Sequence, residues 1–199
     1  METIDEEMNS YMDNFRMQDL EFIDTDDDVL KYTYGSTPFS TFEKIVLQIK
    51  RPKRFIVLGS SIGWQCFYWN RLFPDIPVIG YEIHDVRYDF SVYLAEKYNL
   101  NNIELYNESL IDADIQDGDL IWENNLCMGG SDICDRFNLM ALKKEDISIV
   151  SYLPILYDYQ FNGNILLMDD FGGFKGLSYK TLNLPTSWTD SQHFYILEQ

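Results

Sequence analysis

The feature that most constrains the fold lies in the first half of the chain. There the sequence predicts a strand, a glycine turn, a helix and a second strand in succession. The apolar run Phe55–Leu58 leads into the turn Gly59-Ser-Ser-Ile-Gly63, and a second apolar run, 77–82, ends in the carboxylate of Glu82. A glycine turn between a strand and a helix lets a ligand approach the backbone, where the helix N-terminus offers free N–H groups. The pattern predicts a parallel βαβ unit that binds a nucleoside at the carboxyl ends of its strands.

The turn and the carboxylate narrow the choice of nucleoside. The turn is short and lacks the Lys-Ser/Thr pair that would hold a triphosphate, and an acid at the end of the second strand suits ribose hydroxyls. These features favour S-adenosylmethionine over ATP. Gly59 would allow the tight turn after the strand, and Gly63 the close approach of the helix.

Periodicity along the rest of the chain predicts alternating strands and helices. Strands are predicted near 54–58, 77–82, 103–106, 120–122 and 147–152, and helices near 62–72, 90–98 and 131–142. After Asn162-Gly163, antiparallel strands are predicted over 164–170, 176–184 and 191–197. The prediction is an α/β fold with a mostly parallel seven-stranded sheet, antiparallel C-terminal strands and helices on both faces, which resembles the Rossmann-like fold of class I methyltransferases.

The length predicts an acidic N-terminal extension, 1–29, and one domain, 30–199. The N-terminus is acidic and no apolar run reaches the ~18 residues of a membrane span, so we expect a cytoplasmic protein, with the nucleus as a second location. The three cysteines form neither a paired framework nor a metal motif, so we expect reduced thiols. The acidic run 24–28 lacks the glycine of a calcium loop, and no metal is predicted.

The formal net charge of −18 restricts the partners. Duplex nucleic acid is repelled by such a surface unless basic groups are segregated. The basic cluster Lys50–Arg54 precedes the first strand, at the end of the sheet opposite the expected ligand. We therefore expect a basic protein or peptide partner and no direct binding of duplex nucleic acid. The sequence makes no prediction of the oligomeric state.

Two consecutive amides, Asn124 and Asn125, follow the fourth predicted strand. Their carbonyl oxygens are compact acceptors for an incoming amine, whose lone pair they would aim at a methyl group on sulfur. The alternative interpretation is an ordinary asparagine turn.

Four separated blocks resemble the disruptor-of-telomeric-silencing (Dot-one) family of histone lysine methyltransferases, which lack a SET domain. Tyr34-Gly-Ser-Thr37-Pro-Phe39 is similar to that family's Y-G-E-T-x-F loop, and Leu58-Gly-Ser-Ser-Ile-Gly63 to its D-L-G-S-G-V-G motif. Trp122-Glu-Asn-Asn-Leu126 is similar to its F-V-N-N-F segment, and Ser187-Trp-Thr189 with Phe194-Tyr195 to its closing S-W-T…Y-Y. Order and spacing agree over roughly residues 30–197.

The resemblance implies a role for each matching residue. The catalytic residues would be Asn124, Asn125 and Tyr34. Those that bind S-adenosylmethionine would be Thr37, Gly59, Ser60, Ser61, Gly63, Glu82, Glu108 and Ser109. Glu82 would bind the ribose, Glu108 the adenine, and Thr37 with Tyr34 the methionyl part. The walls of an acceptor channel would be Trp122, Trp188 and Phe194.

The resemblance implies methyl transfer from S-adenosylmethionine to a protein lysine, with a histone-like acceptor among the candidates. Two departures keep an alternative open, since Val57 and Ser61 replace an Asp and a Gly of the family's first motif. That alternative is a methyltransferase-fold module that has lost turnover and binds partners through its acidic surface. A small-molecule or nucleic-acid acceptor is a third candidate.

Overall fold

The computed structural model describes residues 3–10, 37–125, 141–153, 159–161, 164–166, 178–187 and 189–199. Within these ranges the strands are β1 (Arg54–Leu58), β2 (Val78–Tyr81), β3 (Ile103–Tyr106), β4 (Asp119–Glu123), β5 (Ser148–Ser151), β6 (Tyr159–Phe161), β7 (Asn164–Leu166), β8 (Ser178–Leu184) and β9 (Gln192–Glu198). The helices are α1 (Phe39–Val46), α2 (Trp64–Leu72) and α3 (Asp85–Lys97).

Seven of these strands form one mixed sheet in the order β3-β2-β1-β4-β5-β9-β8. The strands β1 to β5 are parallel to one another, whereas β9 is antiparallel to both β5 and β8. Strands β6 and β7 form a separate antiparallel hairpin. The predicted fold class is therefore confirmed: a mostly parallel seven-stranded sheet with antiparallel C-terminal strands.

The central strand β1 is buried because the sheet is covered on both faces. Its side chains alternate between two core clusters, with Phe55 and Val57 in one and Ile56 and Leu58 in the other. Such a continuous apolar run is typical of a parallel strand that lies between two layers. In the first cluster the ring of Phe55 stacks on Trp69 of α2, with ring centroids 4.3 Å apart.

Helix α1 begins after Pro38 and buries one apolar face. Phe42, Ile45 and Val46 are fully or almost fully buried, and they recur at the spacing of one helical face. The ring of Phe42 contacts Trp122 of β4 at 5.2 Å between centroids. Helix α1 therefore packs against the middle of the sheet.

The parallel strands end level with one another. Leu58 at the end of β1 pairs with Tyr81 of β2 and Glu123 of β4. Tyr106 and Ser151 end the next strands outward in the same register. Because carboxyl ends of parallel strands meet at one edge, the residues that follow them share one side of the molecule.

The strand predictions match closely where the chain is described. The described part of 164–170 is β7, which pairs with β6 instead of joining the main sheet. The predicted helix 131–142 lies largely outside the described residues. Residues 4–10 are helical, and Met8 is completely buried in the first core cluster. The predicted boundary at residue 29 lies outside the described residues and stays a prediction. None of the described helices combines the length and the apolar character needed to span a membrane.

Candidate active site

The turn between β1 and α2 has three residues in the left-handed region of backbone space. They are Gly59, Ser61 and Gly63, with φ values of 69°, 51° and 94°. Glycine adopts such values without steric cost, while Ser61 does so at a cost of about 1 kcal/mol. The turn is attached to the neighbouring strand by the backbone N–H of Ser60, which donates to the carbonyl of Tyr81 at 2.9 Å.

Gly63 allows helix α2 to start very close to the turn. A Cβ atom at this position would lie 2.5 Å from the ring of Phe67, one helical turn further on. The backbone N–H of Phe67 donates to the carbonyl of Gly63 at 2.9 Å, and none of the described side chains caps the helix. The first N–H groups of α2 therefore remain available to a ligand with acceptor atoms.

The carboxylate of Glu82 closes the turn from the side of β2. One oxygen, Oε2, accepts from the backbone N–H of Ser61 at 2.7 Å, and Oε1 accepts from that of His84 at 2.9 Å. The residue is 4% exposed. An ionised carboxylate accepts about four hydrogen bonds. Two fix its orientation here, and the remaining acceptor positions suit a pair of hydroxyls.

The segment after β3 contacts the same edge. The side-chain amide of Asn107 donates to the carbonyl of Glu82 at 3.1 Å. The next residue, Glu108, is exposed, and Ser109 precedes a short 3-10 turn, Leu110–Asp112. Ile83, which follows Glu82, has 65% of its surface exposed. An exposed apolar side chain directly after Glu82 is a suitable contact for a purine base, and the sequence analysis did not single it out.

The side chain of Asn124 joins β4 to the glycine turn. Its Nδ2 donates to the carbonyl of Gly59 at 2.7 Å, and its Oδ1 accepts from Trp122 Nε1 at 3.2 Å and from Gln65 Nε2 at 3.1 Å. Both lone pairs of Oδ1 are therefore in use. For Asn124 to contact an incoming amine, as predicted, one of these donors would have to leave.

Asn125 points towards the opposite neighbour, strand β5. Its Nδ2 donates to the hydroxyl of Ser151 at 2.7 Å, and its Oδ1 accepts from the backbone N–H of Leu153 at 3.3 Å. The residue is 5% exposed. The structure therefore separates the two amides, with Asn124 at the turn and Asn125 at the end of β5.

The aromatic residues predicted to line an acceptor channel lie in the core where the structure describes them. Trp122 and Phe194 are both completely buried, with ring centroids 6.1 Å apart. Tyr152 packs against both. Tyr34 and Trp188 lie outside the described residues, so their predicted roles stay predictions.

Thr37 forms a hydrogen bond with Tyr152, a residue that the sequence analysis missed. Its Oγ1 shares a hydrogen bond of 2.5 Å with the hydroxyl of Tyr152, and the hydroxyl is 3.5 Å from Gln65 Nε2. Thr37 is completely buried, and Gln65 and Tyr152 are each 4% exposed. The position of Tyr152 at the end of the fifth predicted strand was the available signal, since that is where site residues of parallel sheets occur.

The charge around this edge is mainly negative. Asp85, Glu108 and Asp112 are exposed on the segments that follow β2 and β3. The one thiol among the described residues, Cys66 of α2, is completely buried, and burial raises its pKa well above its ordinary value. It therefore stays protonated and is not a nucleophile. No cluster of metal-binding side chains occurs among the described residues.

Comparisons with solved structures identify the fold. A putative O-methyltransferase from Klebsiella pneumoniae is similar with a TM-score of 0.59 and 13% identity, over 94% of this chain and 96% of that one. Precorrin-6y C5,15-methyltransferase from Geobacter metallireducens is similar with a TM-score of 0.56 and 9% identity, over 79% and 86% of the two chains. A methyltransferase from Pyrococcus furiosus is similar with a TM-score of 0.55 and 14% identity, over 84% and 86%.

The chain has the Rossmann-like fold of these methyltransferases. At such low identities the likeness extends to the fold alone. Comparison with protein-family models gives no match, and comparison with curated proteins gives none either. The more specific resemblance to the Dot-one family stays a prediction.

Proposed function

We propose that the protein is an S-adenosylmethionine-dependent methyltransferase. The observation that carries the proposal is the hydrogen bond from the Ser61 N–H to the Glu82 carboxylate. It brings together the two features that the sequence predicts for an adenosyl site, the glycine turn and the acid at the end of β2. The fold of similar solved structures, which are named as methyltransferases, supports the same proposal.

The residues present suit this cofactor. Glu82 would accept from the ribose hydroxyls, Ile83 would contact the adenine, and the turn from Gly59 to Gly63 would lie against the rest of the molecule. The N-terminus of α2 carries a partial positive charge, which suits the carboxylate of the methionyl part. When bound, the cofactor supplies an electrophilic methyl group on a sulfonium sulfur.

The acceptor that we propose is an amine, with a protein lysine as the leading candidate. The exposed acids Asp85, Glu108 and Asp112 favour the approach of a cationic group. An ammonium group has no lone pair, so the site must favour the neutral amine before methyl transfer. An apolar environment favours the neutral amine because it disfavours the charged form. A basic protein or peptide would carry the amine to this surface.

A second candidate is a module that binds the cofactor or a partner without turnover. The burial of Trp122 and Phe194 and the full hydrogen bonding of Asn124 favour it, because neither an open channel nor a free acceptor is formed by these residues. A small-molecule acceptor is a variant of the first proposal, and one of the similar structures, precorrin-6y C5,15-methyltransferase, is named for such an acceptor.

Calorimetric titration of the full chain with S-adenosylmethionine tests the proposal. Saturable binding of one cofactor is expected, and absence of binding at millimolar cofactor would contradict it. Transfer of a labelled methyl group from S-adenosylmethionine to a lysine-rich peptide then tests the acceptor. The control is the same peptide with each lysine replaced by norleucine. Binding without transfer to the peptide would contradict a lysine acceptor and would favour either the module without turnover or a small-molecule acceptor.

A further inference from the structure

A chain of buried and half-buried polar side chains connects the start of helix α1 to the glycine turn. It runs from the hydroxyl of Thr37 to that of Tyr152, then to the amide of Gln65, then to Asn124 and the carbonyl of Gly59. The members come from four different parts of the chain, since Thr37 precedes α1, Gln65 lies on α2, Asn124 follows β4 and Tyr152 follows β5. Buried polar groups of this kind fix the relative positions of the elements that carry them.

The donors and acceptors at Asn124 are matched on every side. Trp122 Nε1 is only a donor and the Gly59 carbonyl is only an acceptor, so the amide of Asn124 has one favourable orientation. Gln65 completes the set, because its Nε2 donates to Asn124 Oδ1 at 3.1 Å and its Oε1 accepts from Asn124 Nδ2 at 3.4 Å. The hydroxyl of Tyr152 accepts a longer hydrogen bond, of 3.5 Å, from the same Nε2 of Gln65.

From these contacts we infer that Gln65 and Tyr152 are positioning residues for cofactor binding. Neither is required to touch the cofactor. They hold Asn124 against the Gly59 carbonyl, and so keep the turn in its binding conformation. Through the same hydrogen bonds they connect the turn to Thr37, which lies just before α1. This inference rests on the proposed function, because it assumes that the turn binds S-adenosylmethionine.

Two single substitutions test the inference. Tyr152→Phe removes only the hydroxyl, and Gln65→Met keeps a side chain of similar length without hydrogen-bonding groups. Each variant is expected to bind S-adenosylhomocysteine about five- to tenfold more weakly than the wild type, as measured by calorimetry. The double variant is expected to lose less than the product of the two single losses, because both act through Asn124.

Thr41→Val is the matched control. Thr41 is also almost completely buried, on α1, and its hydroxyl donates to the carbonyl of Pro185 at 2.8 Å, away from the turn. Its removal costs a buried hydrogen bond of the same kind, and affinity is expected to stay within about twofold of the wild type. Urea unfolding of each variant gives the accompanying loss of stability.

The outcomes separate this inference from the proposed function. If the wild type binds and the Tyr152 and Gln65 variants bind equally well, the positioning role is overturned while the proposed function stands. Equal weakening by Thr41→Val, in proportion to lost stability, overturns it as well. If Gln65→Met does not fold, Tyr152→Phe decides alone. No binding by the wild type overturns the proposed function and this inference together.

Discussion

The backbone N–H of Ser61 donates to the carboxylate of Glu82 at 2.7 Å, across a sequence separation of 21 residues. This bond joins the turn after β1 to the end of β2. The glycine turn and the acid are both recognisable in the sequence, and this bond fixes their positions relative to each other. The other carboxylate oxygen is held by the N–H of His84, at the start of α3.

Glu82→Gln is expected to weaken both the fold and the site. An amide would turn its NH2 group towards one of the two backbone donors, Ser61 or His84, and leave that N–H without an acceptor. Unfolding by urea is expected to show a loss of about 1–3 kcal/mol, and calorimetry an affinity for S-adenosylhomocysteine lower by about tenfold or more.

Glu104→Gln, at an exposed carboxylate on β3, is the control and should change stability by under ~0.5 kcal/mol. Wild-type affinity in Glu82→Gln would contradict the assigned role.

The positive φ of Ser61 predicts opposite effects for two substitutions. Glycine removes the steric cost but gains freedom in the unfolded chain, so Ser61→Gly is expected to change the free energy of unfolding by between 0 and about +1 kcal/mol. A β-branched residue raises the cost, and Ser61→Val is expected to lose about 1–2 kcal/mol.

Asn99 has the same φ of 51° but follows helix α3, away from the turn. Asn99→Val should therefore destabilise the fold by a similar amount without changing the affinity for S-adenosylhomocysteine. Ser61→Val should reduce both. A Ser61→Val variant as stable as the wild type would show that the backbone at this position is not strained.

Gly63→Ala is expected to be more damaging than Gly118→Ala, although both glycines have positive φ, of 94° and 88°. The added methyl at Gly63 would meet the ring of Phe67 at 2.5 Å, whereas at Gly118 it would meet the flexible side chain of Lys53 at 3.0 Å. Backbone strain costs each variant about 1–2 kcal/mol, and the ring contact adds about 1–3 kcal/mol at Gly63 alone. Equal midpoints in urea unfolding would contradict the close packing of α2 on the turn.

Acid should loosen the N-terminal helical segment from α3. The Lys97 ammonium, and then the Tyr98 hydroxyl, donate to the carboxylate of Glu7 and lower its pKa. A lowered pKa in the folded state means that Glu7 contributes stability above the ordinary carboxyl pKa of about 4.3. That contribution is lost as the pH falls through the lower folded value.

Glu7→Gln gives the measurement for this pH effect. The difference in the free energy of unfolding between wild type and Glu7→Gln is expected to be present at pH 7 and to vanish as the pH falls below about 4. Glu96→Gln, at an exposed position on the same helix as Lys97, is the control for general charge effects. A difference that stays constant down to pH 3 would show that the contact does not depend on ionisation.

The sequence predicted the parallel part of the sheet well because the strands are short apolar runs with clear boundaries. It also predicted that the glycine turn and Glu82 lie at the same edge of the sheet, since parallel strands end at one edge. The direct hydrogen bond between them was not predicted. The hydrogen bonds of Asn124 were not predictable, because an amide at a strand end has no pattern that reveals whether it faces a ligand or the protein. Tyr152 was missed although it ends the fifth predicted strand, where site residues occur. Its ring fits an apolar pattern, and only the fold shows that its hydroxyl meets Thr37.

A crystal structure of the full chain with S-adenosylhomocysteine tests the central claim most directly. The account predicts that the adenosyl group lies between residues 59–63 and Glu82, with the ribose hydroxyls within hydrogen-bonding distance of the Glu82 carboxylate. A cofactor bound elsewhere, or a ribose directed away from Glu82, would contradict it.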